Sequence, residues 1–235
     1  MTENLTRRQT IAATLGIGVA LNSAGCASAQ TPTQSPLPAT ALSPRPLAFD
    51  PASVPGFSER IIRSHHENNY AGAVRRIGAI QAELSTLDLA TAPGFKLNGL
   101  KREELMAVNS MILHEIHFAS FGPDGVSPGG PLAARLENDF GSHTAWRKEF
   151  VAMGRALGGG SGWVVLTWSP RLGRLVNQWA ADHSMGVADG VGLIALDMYE
   201  HAYHMDYGSN AGAYVDAFMN VLDWRNANTA FAAAL

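Results

Sequence analysis

Apolar residues between positions 57 and 121 recur at helical spacing in two stretches. Ser58 stands before the first stretch and is of the residue type that caps a helix N-terminus. Positions that recur every four residues share one helical face, and in the first stretch they are Ile61, His65, Asn69, Ala73 and Ile77. The corresponding face of the second stretch carries Ser110, Leu113, His114, His117 and Phe121. A short connection joins the stretches, so the pattern predicts a long antiparallel helical hairpin.

The pattern changes after the turn-rich stretch 122–130, "GPDGVSPGG". Two shorter helices are predicted next, and three apolar runs then predict strands: "SGWVVLTWSP", "GRLVNQWAA" and "GVGLIALDMY". A turn over 170–173 joins the first two runs, and a last amphipathic helix, "AGAYVDAFMNVLDW", closes the chain. The predicted fold class is α+β: an N-terminal long antiparallel helical hairpin, then a C-terminal mixed domain with a three-stranded antiparallel sheet flanked by helices.

The domain organisation follows from these periods and from two segments that lack them. We expect the hairpin domain over 57–124 and the α+β domain over 130–235. Residues 30–56 are rich in proline, serine and threonine, which predicts a Pro-rich linker that becomes an extended arm near Leu47. Residues 1–29 have the composition of a twin-arginine type signal peptide.

The signal prediction depends on the twin Arg7 and Arg8, a short apolar run and the small residues at 27–29. It implies a periplasmic or otherwise exported protein with no membrane association after cleavage; a membrane anchor or a helical cap is the alternative. A lipid anchor at Cys26 fits less well, because Ser23 stands where an aliphatic residue is normally wanted. Cys26 is the only cysteine, so the mature chain would have none, which suits an oxidising compartment.

Composition narrows the function by exclusion. The 235 residues are 46% hydrophobic and 16% charged, as in an ordinary globular protein. The net charge of -3 favours neither nucleic acid nor an anionic membrane as a partner. There is no Gly-rich phosphate loop and no G-x-S-x-G elbow. The histidines of "HEIH" are three apart, unlike the H-E-x-x-H motif of zinc proteases.

The stretch "LDMYEHAYHMDY", residues 196–207, places polar groups at the end of an apolar run. Burying Asp197 and His201 there is costly unless they are paired or bind a metal. His65 and His114 lie on the inward faces of the two predicted long helices. Three imidazoles and one carboxylate suit iron, manganese or zinc. For any one of these histidines alone, a hydrogen-bonded core residue is the alternative.

These residues resemble the iron/manganese superoxide dismutase family. "DMYEHAYHMDY" is similar to the family signature D-x-W-E-H-A-Y, "FSERIIRSHHENNY" to its first helix, and "GGGSGWVVL" to its G-S-G-W strand. The resemblance extends from about Phe57 to Trp224.

The resemblance implies one iron or manganese ion per subunit. Trp163 would wall the pocket, and His183 falls where many members place a glutamine that hydrogen-bonds solvent at the metal. Tyr199 replaces a tryptophan beside the metal, and these three are the candidate catalytic residues. The implied metal ligands are His65, His114, Asp197 and His201.

The resemblance also implies a substrate, superoxide, and a partner, a second copy of the chain. In such a homodimer Glu200 would contact the partner subunit's His201. The chain departs from the family at the gateway, where Asn69 and Ala73 replace the usual histidine and tyrosine. Tyr70 is adjacent, but on a regular helix it would point about 100° away.

The predicted function is that of an exported superoxide dismutase, which converts superoxide to dioxygen and hydrogen peroxide. Two alternatives remain open at this point. One is an exported metal-binding protein on a dismutase scaffold, with little or altered activity, because the gateway residues are missing. The other is a non-haem iron oxygenase, which usually uses two histidines and one carboxylate.

Overall fold

A computed structural model describes residues 42–123 and 125–235. The predicted signal peptide and the first part of the predicted linker lie outside these residues. The described chain has the predicted α+β architecture, with a helical N-terminal region and a three-stranded antiparallel sheet flanked by helices. Within the described ranges, no helix combines the length and apolar character needed to cross a bilayer.

The helical region is an antiparallel pair. Its first arm comprises α1 (Glu59–Ser64), a π-helical segment (His65–Tyr70) and α2 (Ala71–Ser85), and its second arm is α3 (Gly94–Ala119). Ser58 caps α1 as predicted, because its Oγ accepts from the Ile61 N–H at 3.2 Å. The arms run in opposite directions, since ion pairs join Glu83 to Lys96 and Arg76 to Glu103.

The π-helical segment corrects one expectation about the first arm. A regular helix would turn Tyr70 away from the inward face, but the i→i+5 geometry of a π-helix brings residues five apart onto the same side. Both His65 and Tyr70 are therefore buried, while Asn69 is only half-buried. The Tyr70 hydroxyl donates to Glu115 at 2.9 Å and accepts from the Arg45 N–H at 2.8 Å.

The C-terminal region contains a sheet of order β2-β1-β3, in which both neighbouring pairs are antiparallel. Its elements are α4 (Gly130–Phe140), α5 (His143–Ala156), β1 (Trp163–Ser169), β2 (Arg174–Ala180), β3 (Val191–Asp197), α6 (His204–Tyr207), α7 (Ala211–Asn220) and α8 (Arg225–Ala233). A single 3₁₀ turn, Glu200–Ala202, lies between β3 and α6.

The last helix was not predicted. We expected the helix at 211–224 to close the chain, but it ends at Asn220, and α8 follows. Ala227 and Phe231, four residues apart, are buried on the inner face of α8, and the Phe231 ring meets Trp168 edge-on at 5.2 Å. The sequence "RNANTAFAA" has one large apolar residue, Phe231, among small and polar residues, so its helical pattern is weak.

The sheet separates two apolar regions, because side chains alternate between the faces of a strand. Val164, Leu166 and Leu196 belong to the main core beneath α5, α7 and α8. Trp163, Val165 and Ala195 face the other way and pack with Leu113 and Ile116 of α3. Trp163 and Asp197 are paired in the β1–β3 register. The carboxyl end of β3 is thereby placed against the helical pair.

Candidate metal centre

Three histidines and one aspartate from distant parts of the chain meet at the end of β3. One potential ligand atom from each residue lies within 4.8 Å of the others. The π-helical segment supplies His65, α3 supplies His114, and the 3₁₀ turn after β3 supplies His201. The structure thus brings together all four residues named as ligands: His65, His114, Asp197 and His201.

The carboxylate of Asp197 is at the centre of this group. Its Oδ2 lies 3.1 Å from Nε2 of both His65 and His201, and 3.6 Å from Nε2 of His114. Its Oδ1 accepts from the Tyr199 N–H at 2.8 Å. The Tyr214 hydroxyl donates to the main-chain carbonyl of the same aspartate at 2.6 Å. Both ends of the residue are therefore held before any ligand binds.

Electrostatics keep this carboxylate ionised. Burial would raise the pKa of Asp197, but hydrogen bonds and charge interactions with His201 and His65 outweigh it. They hold the pKa well below its ordinary value. Burial lowers the pKa of His65 despite its contact with Asp197. The group thus contains a carboxylate anion beside a His65 imidazole that favours its neutral, metal-binding form.

The protonation of His114 tests whether these residues suit a metal ion. Its Nδ1 donates to the Ser110 carbonyl at 2.6 Å, and burial, reinforced by His65, holds its pKa well below the ordinary value. The neutral ring therefore presents a lone pair at Nε2, which faces the Asp197 Oδ2 across 3.6 Å. Two buried electron-pair donors so close together are unfavourable unless a cation lies between them. The donor set fits a metal ion.

Access to the centre is from the side of His201. The His201 side chain is 26% exposed, whereas those of His65, His114 and Asp197 are at most 4% exposed. Glu200, which the resemblance assigns to a dimer contact, is exposed in the single chain. Its contact with a partner stays a prediction.

The three candidate catalytic residues also lie at this site. The Trp163 ring contacts His114 edge-on at 5.2 Å, and the His183 ring lies 5.7 Å from Trp163. Tyr199 stacks on His201 at 5.4 Å and on His183 at 4.9 Å. Its hydroxyl and the His183 Nδ1 are 3.0 Å apart.

Orphaned nitrogen atoms mark the same place. Across residues 42–123 and 125–235, four buried side-chain nitrogens have no hydrogen-bond partner: His114 Nε2, Trp163 Nε1, Trp168 Nε1 and His183 Nε2. Three of the four belong to mutually contacting rings at the centre. Buried polar atoms are normally paired, so this concentration indicates a site for bound ligands.

Sequence reasoning placed His117 on the inward face of its helix but gave it no role. The ring is buried, stacks on Phe218 at 5.5 Å, and lies 5.1 Å from His65. Its Nδ1 donates to the Ala195 carbonyl at 2.9 Å. Burial, and then the proximity of His65, lower its pKa to about 3. Its position three residues after His114 was the available signal.

The fold and the donor set together define an α+β protein with a candidate mononuclear metal centre of three histidines and one aspartate. Residues 128–230 match the family model described as iron/manganese superoxide dismutases, C-terminal domain. An iron superoxide dismutase of Cupriavidus metallidurans is 62% identical over 191 residues, which cover 81% of this chain and 96% of that protein.

More distant relatives agree. A manganese superoxide dismutase of Haloferax volcanii is 34% identical over 185 residues, or 78% of this chain and 90% of that protein. An iron superoxide dismutase of Methanothermobacter marburgensis is 33% identical over 192 residues, or 79% of this chain and 93% of that protein. The chain belongs to the iron/manganese superoxide dismutase family.

Proposed function

We propose that this protein is a superoxide dismutase that holds one iron or manganese ion per subunit. The observation that carries the proposal is the convergence of three imidazole Nε2 atoms on one oxygen of Asp197. Membership of the family supports it independently. The proposed ligands are His65, His114, Asp197 and His201.

When bound, the metal ion would supply one-electron exchange, by which two superoxide ions and two protons yield dioxygen and hydrogen peroxide. The chain contributes the surroundings. Asp197 supplies the negative charge that balances the cation, and Trp163 closes one wall against His114. Burial, then Asp197 and Asp182, raise the pKa of Tyr199 to about 12, so its hydroxyl keeps its proton at neutral pH.

The proposal leaves the metal as iron or manganese. The relative at 62% identity is named an iron enzyme, whereas one at 34% is named a manganese enzyme. The higher identity supports iron. Elemental analysis of protein purified from its native host, with dismutase activity measured on the same sample, tests this choice. Manganese in the active fraction would contradict iron.

The oxygenase alternative is tested at His65. An oxygenase site with two histidines and one carboxylate would not need a third imidazole, yet the His65 Nε2 lies 3.1 Å from Asp197. We expect His65→Ala to abolish metal retention. The control is His66→Ala, because the neighbouring ring bonds instead to the Arg45 carbonyl at 2.8 Å. Retention of metal by His65→Ala would favour the oxygenase.

The non-enzymatic alternative predicts metal binding without turnover. It is tested by assaying superoxide consumption on protein with full iron or manganese occupancy. We expect dismutase activity that is lost with the metal. Full occupancy without activity would contradict the proposed function and leave a metal-binding protein on this scaffold.

We extend the proposal to a homodimer in which Glu200 contacts the partner subunit's His201. Glu200 and His204 are exposed in the single chain and His201 is half-buried, which leaves surface there for a partner subunit to cover. Light scattering on Glu200→Ala and on wild type tests it. We expect a dimer for wild type and a larger monomer fraction for the variant. A monomeric wild type would contradict it.

Export is proposed from the N-terminal sequence alone. Cell fractionation would compare the full chain with an Arg7→Lys, Arg8→Lys double variant, which keeps the charge but removes the twin arginine. We expect wild type in the periplasm and the variant in the cytoplasm. Periplasmic recovery of both would contradict the twin-arginine prediction.

A further inference from the structure

Tyr199 and His183 form a hydrogen-bonded pair at the edge of the candidate metal centre. The Tyr199 hydroxyl lies 3.0 Å from the His183 Nδ1, and the two rings stack at 4.9 Å. The opposite ring nitrogen, His183 Nε2, is buried and has no partner in the described chain. The same imidazole therefore contacts Tyr199 through Nδ1 and leaves its buried Nε2 without a partner in the described chain.

The loop that carries His183 is held by its main chain. The Asn109 side-chain amide, on the same helix as His114, donates to the His183 carbonyl at 2.6 Å. The Asp182 carboxylate accepts from the N–H and hydroxyl of Ser184 at 2.7 and 2.6 Å. These contacts hold the main chain around His183 in place. They do not determine which ring nitrogen carries the hydrogen.

The hydroxyl of Tyr199 can determine which ring nitrogen of His183 carries the hydrogen. A neutral imidazole has one N–H and one lone pair, and the hydrogen bond made by one nitrogen decides the state of the other. A phenol is uncharged at neutral pH, and its hydroxyl lies 3.0 Å from an Nδ1 that can accept its hydrogen when that nitrogen carries the lone pair. If the phenol donates to Nδ1, the imidazole hydrogen must be on Nε2.

We propose that Tyr199 is a positioning residue whose hydroxyl donates to His183 Nδ1 and holds the imidazole with its hydrogen on the buried Nε2. The His183 ring lies 6.2 Å from His114 and nearly parallel to it, at 17°. Nε2 is then a hydrogen-bond donor beside the candidate ligands. The other tautomer would present a lone pair in the same place.

The chemical consequence concerns what enters the centre. An N–H attracts the oxygen of water or of an anion such as superoxide, whereas a lone pair repels it. Tyr199 would thus select oxygen anions through His183, without touching them itself. This consequence rests on the proposed function, but the tautomer does not, because the hydrogen bond between Tyr199 and His183 sets it.

The first experiment reads the tautomer directly. The full chain is loaded with zinc, a diamagnetic ion that accepts imidazole and carboxylate ligands, and the ¹⁵N resonances of His183 are recorded. We expect Nε2 to be protonated and Nδ1 not. Tyr199→Phe should give a mixture of tautomers. Tyr207→Phe is the matched control, because its hydroxyl bonds to the Gly56 carbonyl instead. Protonation at Nδ1 in wild type would overturn the proposal.

The second experiment asks whether Tyr199 acts through His183. Dismutase turnover is measured for wild type, Tyr199→Phe, His183→Gln and the double variant, each corrected for metal content. We expect Tyr199→Phe to lower turnover by about tenfold when His183 is present and to change it little in the His183→Gln background. Equal losses in both backgrounds would indicate packing and overturn the proposal.

The two experiments also separate this proposal from the proposed function. If the metal-loaded wild type shows no dismutase activity, the function fails. The zinc-loaded protein would still report whether Tyr199 sets the tautomer. A single Nε2–H tautomer that persists in Tyr199→Phe would overturn the positioning role while leaving the dismutase proposal intact.

Discussion

His117 donates its Nδ1 hydrogen to the carbonyl of Ala195 at 2.9 Å, and this bond ties α3 to β3 two residues before Asp197. The bond connects the helix that carries His114 to the strand that carries the carboxylate. It also satisfies a buried carbonyl with a side chain that burial keeps neutral. His117 therefore both supports the centre and makes the fold sensitive to acid.

The first prediction concerns that sensitivity. Unfolded His117 takes up a proton near pH 6.5, but native His117 does so only at its lowered pKa of about 3. Between these values the unfolded state binds more protons, so stability falls as the pH falls below about 6.5. Between pH 7 and pH 5, His117 alone should lower the free energy of unfolding by about 2 kcal/mol.

The free energy of unfolding of His117→Phe should therefore fall by about 2 kcal/mol less than that of wild type between pH 7 and pH 5. At pH 7 it should be less stable by about 1–2 kcal/mol, because the Ala195 carbonyl loses its donor. Urea unfolding of the metal-free protein at both pH values measures both effects. His65 and His114 remain in both proteins. Identical pH dependence in variant and wild type would contradict the assignment.

The second prediction concerns the segment before α1. Three side chains contact Arg45. Tyr70 and His66 form hydrogen bonds with its main chain, and Glu115 forms an ion pair with its guanidinium at 2.9 Å. Leu47 and Phe49 pack against the core from the same segment. The segment thus covers the helical pair on the side of Tyr70.

A chain of residues 50–235 should be less stable than one of residues 42–235 by about 3 kcal/mol or more. The loss follows from exposing the surface beneath Leu47 and Phe49 and removing the Arg45 contacts. Arg45→Ala alone should cost less than about 1 kcal/mol, because its guanidinium is mostly exposed. Thermal unfolding measures all three. Equal stability of the two truncated chains would contradict the packing role.

Local pattern predicted part of the site and long-range packing determined the rest. Asp197 and His201 could be found because a carboxylate and an imidazole follow an apolar run. Periodicity placed His65 and His114 on inward faces but could not show that these faces meet β3; the family resemblance supplied that step. The tertiary contacts confirm the meeting through 3.1 and 3.6 Å distances to Asp197.

The π-helical segment could not be predicted from the sequence. "HHENNY" contains neither glycine nor proline, and nothing in it distinguishes i→i+5 from i→i+4 bonding. The segment directs two side chains inward, because His65 contacts Asp197 and Tyr70 contacts Glu115. Such a choice depends on partners in α3 and β3, which lie far away in the chain.

The third prediction concerns Gly162, the residue just before β1. Its φ is 134°, and a Cβ placed there would lie 2.1 Å from the Ala180 carbonyl oxygen. Its own carbonyl accepts from the Met198 N–H at 2.9 Å, which joins β1 to the end of β3. The G-S-G-W resemblance thus has a steric basis, because only glycine lets the chain at the start of β1 approach the end of β2 at Ala180.

Gly162→Ala should destabilise the protein by about 3 kcal/mol and reduce metal occupancy, because Trp163 and Asp197 both shift with the strand. Gly173→Ala is the matched control: its φ is 60°, but no atom lies within 4 Å of a Cβ there. It should cost about 1 kcal/mol and leave occupancy unchanged. Urea unfolding and elemental analysis measure the pair. Similar effects of the two substitutions would contradict the steric argument.

The fourth prediction concerns metal removal. In the metal-free protein the lone pair of His114 and the Asp197 carboxylate face each other with no cation between them. A chelator should therefore lower the free energy of unfolding of wild type by about 4 kcal/mol if free metal had stood near a thousandfold above its dissociation constant. Asp197→Asn keeps the shape but removes the charge, so it should bind metal poorly and respond little to the chelator.

Asp139→Asn is the control for burial of a carboxylate. Asp139 accepts from Arg135 at 2.6 Å and from the Leu175 N–H at 2.7 Å, away from the centre. Its amide variant should be less stable than wild type, because a charge-assisted pair is lost, yet its response to the chelator should be unchanged. Calorimetry with and without chelator on the three proteins decides the matter. A full chelator response in Asp197→Asn would contradict the role of Asp197 as a ligand, since the loss would then have to arise at another site.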